Sequence, residues 1–146
     1  MFIYNNNGKI ITSPVLIKGL TKVEMTNEQA KHCIGFDENN NPLYNQEAVE
    51  KENEYNRRKL VNEINAEFEK QCSKIGVLFE GNYFQYDDTS RARLLEVKDD
   101  DRVNVWRSVN DVFIPMTNTQ KNNLYSTLVY AFYSKFQEKS QEIDSL

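Results

Sequence analysis

The apolar and polar positions fall into three regimes along the chain. In the first, short apolar runs alternate with turn residues. Phe2–Tyr4 and Lys9–Thr12 flank Asn5-Asn6-Asn7-Gly8, a stretch that favours positive φ and reads as a hairpin turn. A second extended run follows over Ser13–Met25, interrupted by Pro14 and Gly19. Thr26 then has the place of a helix cap, with Gln29 three residues on in capping-box spacing. That helix is expected to be short and to end near Gly35. Phe36–Asn45 reads as a turn between two short strands.

The second regime, Gln46–Ile75, contains neither Gly nor Pro. Gln46–Lys59 is almost wholly polar and reads as a helical connector, since a helix polar all round has no face to bury. Leu60, Val61, Ile64, Phe68, Cys72 and Ile75 then recur at spacings of three and four, the mark of a packed helix. Gly76 is placed to cap its C-terminal end.

The third regime mixes both periods. Gly81-Asn82 suits a type II′ turn, pairing Glu80 with Tyr83 and Phe79 with Phe84. Val77, Phe79, Phe84 and Tyr86 then share an apolar face, opposite Leu78, Glu80, Tyr83 and Gln85. Asp87 or Asp88 can cap a helix over Thr89–Val97. Lys98–Arg102 is a polar loop, and Val103–Met116 reads as a hairpin around Asn110-Asp111, with Trp106 in its first arm. Pro115 suits an edge position there. Thr117, with Gln120 three on, opens a long helix to Leu146. Leu124, Leu128, Ala131, Phe132, Phe136 and Ile143 trace its stripe. Tyr125, Val129, Tyr130 and Tyr133 widen that stripe beyond one face, so the helix is expected to pack between a sheet and a second helix or against another chain.

The expected class is therefore α+β. A small β-rich module spans 1–45 and a helical connector 46–59. Residues 60–146 follow, with two hairpins packed on a short helix and a long C-terminal helix. Composition refines this only a little. Aromatics make up 12% of a chain that is 27% charged, too many for a disordered polymer of that polarity. The net charge is −4, and no Lys/Arg stripe marks a nucleic-acid face. Arg57, Arg58 and Lys59 follow Glu52 and Glu54 and read as a solvated helix face. No run of about 18 apolar residues could span a membrane. The N-terminus also lacks the basic start and apolar stretch of a signal peptide. Cys33 and Cys72 have no CxxC spacing and read as free buried thiols.

Candidate chemistry is sparse. His32 is the single histidine, which excludes multi-His metal sites and leaves any catalytic triad hanging on one residue. Neighbours His32 and Cys33 cannot face each other on a helix, so a structural or surface role is expected. Asp99, Asp100 and Asp101 lack the alternating ligands, central Gly and distal Glu of a calcium loop, and read as a solvated loop. Asp87, Asp88, Arg91 and Arg93 crowd both charges together. Carboxylates at a helix start beside Arg stay ionised, which suits capping rather than proton transfer. No phosphate-loop, dinucleotide or nucleophile-elbow pattern occurs. The expectation is a protein that is not an enzyme and has no cofactor or metal.

Residues 60–146 carry an ordered set: Gly76, Phe79, Gly81, Phe84, Gln85, Asp87, Ser90, Arg93, Trp106, Pro115 and Thr117. In this they resemble an uncharacterised domain family of bacteriophage and prophage proteins, usually encoded near tail fibres. The Lys98–Arg102 loop is shorter than in many members. The N-terminal stretch is similar to the small β-rich starts of tail-fibre assembly and tail-tip accessory proteins. The resemblance implies a phage tail module and supplies no catalytic motif. Its implied role is a tail fibre assembly chaperone that binds a fibre or other tail protein. The alternatives are a minor structural component of the virion tail and a glycan-binding accessory. Its implied location is the bacterial cytoplasm during assembly, or the virion tail. On this reading Tyr125, Tyr130 and Tyr133 form part of a partner surface, or pack on the chain's own hairpins. Phe79, Phe84 and Trp106 are structural, with Asp87 and Ser90 as a reciprocal helix cap. Self-association through 60–75 or 124–143 stays open, without the sustained 3.5-residue repeat of a coiled coil.

Overall fold

The computed structural model describes residues 2–15 and 18–146. It is mixed α+β, with four α-helices and small antiparallel sheets. The chain divides into two compact units, Met1–Arg57 and Arg58–Leu146.

In the first unit, β1 (Phe2–Asn6) pairs antiparallel with β2 (Lys9–Ser13), from Phe2↔Ser13 to Asn6↔Lys9. Asn7 and Gly8 both take positive φ in the turn, and the Asn5 side chain accepts the Gly8 N–H at 2.8 Å. The short β3 (Thr21–Lys22) borders the other side of β1. Leu16 and Ile17, in the expected second extended run, lie outside the described residues.

Helix α1 (Asn27–Lys31) carries the expected capping box between Thr26 and Gln29. It stops at Lys31, not near Gly35, because Cys33–Phe36 form β4 against β5 (Pro42–Tyr44). Tertiary contact explains the early stop. The Phe36 N–H donates to the Gly8 carbonyl at 3.0 Å, and a Cβ on Gly35 would lie 2.5 Å from that same oxygen. Ile3, Tyr4, Cys33 and Phe36 are buried in this unit.

Helix α2 (Gln46–Lys70) is one continuous helix, so the polar connector and the periodic segment are not separate elements. A single π-helical turn, Gln71–Ile75, extends it, closed by an i→i+5 bond from the Gly76 N–H to the Gln71 carbonyl. The wider turn rotates the stripe. Phe68 and Cys72 are buried as expected, whereas Ile75 swings out and Leu60 remains 44% exposed.

In the second unit β6 (Val77–Phe79) pairs with β7 (Asn82–Phe84) in a register that differs from the expected one. Val77 faces Phe84, and Phe79 faces Asn82. The turn is Glu80-Gly81, both at positive φ, the pattern of type I′. Gly76 accounts for the choice. Its backbone lies so close to the Phe84 carbonyl that a Cβ there would sit 2.5 Å from the oxygen, whereas the expected register places it opposite Asp87. The change is an even one, so every side chain keeps its face. Phe84 is fully buried, Val77 and Phe79 pack against the core, and Leu78 and Tyr83 are exposed.

Helix α3 (Asp88–Val97) follows, then β8 (Val105–Arg107) and β9 (Phe113–Pro115) around Val109-Asn110-Asp111, then α4 (Asn118–Asp144) with its Thr117–Gln120 capping box. The core joins Phe68, Cys72, Phe84, Tyr86, Leu94, Met116, Leu124 and Leu128, with Trp106, Tyr125 and Phe132 packed half-buried against it. Rings of Phe68 and Phe132 meet edge-on at 5.6 Å, fastening the end of α2 to α4.

Candidate functional site

The structure divides the charged cluster at the start of α3. Asp87 is the N-cap, and its carboxylate accepts the Ser90 N–H at 3.0 Å. The cap is not reciprocal. A serine at this position is too short to reach back to the Asp87 N–H, a reach that Glu or Gln can make. The Ser90 hydroxyl turns instead to the Gln85 amide oxygen at 3.4 Å, while the Gln85 amide nitrogen donates to the Ser73 carbonyl at 2.8 Å. Gln85 thus ties the π-helical turn to α3. Arg91 lies with its guanidinium 3.6 Å from the Phe132 ring centre, donates from Nε to the Tyr86 carbonyl at 3.1 Å, and pairs with Asp88. Arg93 points elsewhere. It is exposed and makes neither a hydrogen bond nor an ion pair among the described residues.

The acidic loop after α3 is anchored, not merely solvated. Lys121 of α4 is fully buried, and its ammonium donates to the carbonyls of Val97, Asp100 and Val103 at 2.8, 2.7 and 2.5 Å. The loop is wound around that cation. Its carboxylates point to protein partners: Asp99 to Asn122 and Lys98, Asp100 to Arg102, Asp101 to Asn118. Hydrogen bonds from the Arg102 side chain and backbone hold the Asp100 carboxyl down at about 2. Among the described residues no group of three or more His, Cys, Asp or Glu side chains could hold a metal. Lys121 escaped sequence reasoning although a signal was present. Lys121, Leu124 and Leu128 fall at i, i+3 and i+7, which places a lysine in the phase of the buried stripe.

The remaining reactive groups are tied up. In the first unit His32 pairs with Glu52 of α2, which also accepts from Lys31 at 3.0 Å. The Cys33 thiol donates to the Gly35 carbonyl at 3.3 Å. In the second unit burial pushes the Cys72 thiol up to about 11 and the Tyr86 phenol up to about 12, so both stay protonated at neutral pH.

Two open surfaces of the second unit involve the expected site residues. On α4, Tyr130 and Tyr133 are 77% and 60% exposed, and with half-buried Tyr125 they border a shallow groove of about 570 Å³. The Tyr133 ring meets Phe132 edge-on at 5.4 Å, which restricts its motion. The other is a cleft of about 450 Å³ between α3 and β8, where Arg93, Trp106 and Phe113 converge with Gln85 and Ser90. Of the expected site residues, the structure therefore gathers the three tyrosines on one face. Trp106 and Ser90 line a different surface, Asp87 caps α3, and Phe79 and Phe84 pack in the hairpin.

No family model, curated protein or solved structure matches the chain.

Proposed function

We propose that this chain is a non-enzymatic tail protein of a phage or prophage that acts as a fibre-assembly chaperone, holding a tail fibre protein through the tyrosine face of α4. The observation that carries the binding role is the pair Tyr130 and Tyr133. Leu124 and Leu128 on the same helix are fully buried and complete the core, so the exposed rings are surplus to it. Exposed tyrosines give large contact area at low entropic cost, the usual makeup of a binding hot spot. The pairing or burial of His32, Cys33, Cys72 and Tyr86 supports a role without chemistry. The tail assignment rests on the resemblance of residues 60–146. No helix among the described residues is long and apolar enough to cross a membrane, which suits assembly in the bacterial cytoplasm.

Co-expression with the fibre protein encoded beside it, followed by affinity capture, tests the reading. Replacing Tyr130 and Tyr133 together by Ala is expected to lower captured fibre about tenfold. Equal capture by the variant rejects the surface. Mass spectrometry of purified particles separates the roles: a chaperone is absent from them, whereas stoichiometric presence makes the chain a virion component.

A further inference from the structure

The β8–β9 hairpin has two free edges that are not equivalent. Backbone bonds join Ser108 to Val112 and Met116 to Asn104, both at 2.8 Å. In an antiparallel ladder the bonded pairs alternate, so Trp106 and Ile114 bond to each other. Val105 and Arg107 on β8, and Phe113 and Pro115 on β9, then turn their backbone groups outward. Pro115 has no N–H, which blunts the β9 edge. The β8 edge keeps two donors and two acceptors with no backbone partner among the described residues.

That intact edge borders the cleft. Across from it stand Ser90 and Gln85, held in place by their mutual hydrogen bond and by Ser73. A single backbone bond joins the two hairpins among the described residues, from the Val109 N–H to the Tyr83 carbonyl at 2.9 Å. Its charge is one-sided. Arg93 and Arg107 line it and no carboxylate does, although the chain as a whole is at −4. Arg93 has no partner, and Arg107 has only a loose contact with Asp111 at 3.6 Å. Phe113, 64% exposed, adds an apolar wall.

We propose that this cleft takes an extended, acidic segment of a partner polypeptide by strand addition to β8. The segment pairs its backbone with Val105 and Arg107 and sets a carboxylate against Arg93. Three residues of β8 offer about 10 Å of edge, enough for a short strand. The surface is separate from the tyrosine groove of α4, and the two share no residue.

The test uses the full chain, isotope-labelled, with amide resonances followed by NMR during titration with the probe peptide acetyl-Thr-Val-Asp-Val-Thr-amide. The expected result is movement of the Val105 and Arg107 amide signals, with slower hydrogen exchange at both. A matched peptide with Lys in place of Asp should bind about two- to fivefold more weakly. Arg93→Gln should reduce that preference, leaving the part that Arg107 supplies, without disturbing the fold, since Arg93 makes no internal contact by hydrogen bond or ion pair. N-methylation of the probe backbone should abolish binding. Unmoved Val105 and Arg107 amides at millimolar peptide overturn the proposal, as does equal binding of the Lys peptide or the N-methylated one. Glucuronate shifting the Trp106 indole signal while the peptide moves nothing also overturns it and makes the cleft a sugar site.

Discussion

Lys121 shows how one residue can organise a segment that looks solvent-dominated. Its ammonium takes three carbonyls from the end of α3 and the loop beyond it, with no exposed surface of its own. Without the ammonium the Val103 carbonyl loses its donor, whereas the Val97 and Asp100 carbonyls keep the backbone N–H groups of Asp100 and Val103; the cost of desolvating the charge offsets a further part of the gain. Lys121→Met keeps the aliphatic stem and removes only the donor. It is expected to lower stability by about 1–3 kcal/mol, measured by urea unfolding. A loss within the ±0.5 kcal/mol typical of surface substitutions would show that the three bonds do not anchor the loop. The position was readable in principle from its phase with Leu124 and Leu128. Its carbonyl partners were not, because no periodicity records where loop carbonyls converge.

Among the elements, those closed by local chemistry were legible and those set by distant contacts were less so. Both capping boxes, the Gly76 cap and the Asp87 cap depend on residues within a few positions of one another, and all four form. The end of α1 and the β6–β7 register depend on contacts such as Gly35 with Gly8 and Gly76 with Phe84, which no short window contains. The tyrosine face was visible as excess apolar width on α4. The β8 cleft was not, because it needs α3 and the second hairpin brought together. The register also leaves a removable strain. Glu80 sits at φ 47 in a turn position that favours Asn, Asp or Gly. Its carboxylate accepts from Gln120 at 3.1 Å, an exposed bond of small worth. Glu80→Asn is therefore expected to stabilise the protein by roughly 0.5–1 kcal/mol, read as a raised thermal midpoint. A lowered midpoint would mean that the Gln120 contact outweighs the backbone strain.

At the scale of the molecule, the eight-residue core that starts at Phe68 and ends at Leu128 lies wholly within Arg58–Leu146. The contacts that position both candidate surfaces lie there too: Arg91 on Phe132, Gln85 on Ser73, Lys121 on the α3 loop. The first unit has its own smaller core around Ile3, Tyr4, Cys33 and Phe36. Residues 58–146 should accordingly fold by themselves, even though the division cuts through α2 and leaves its polar beginning behind. Cys72 is a built-in reporter of that fold. It is fully enclosed, its thiol is pushed up to about 11 by burial, and the other cysteine lies outside the fragment. The fragment is expected to melt in one cooperative step and to shield Cys72 from an alkylating reagent at pH 8 as well as the full chain does. If Cys72 in the fragment reacts as fast as in denaturant, the second unit needs residues 1–57 to fold, and the two surfaces cannot be treated as belonging to an autonomous domain.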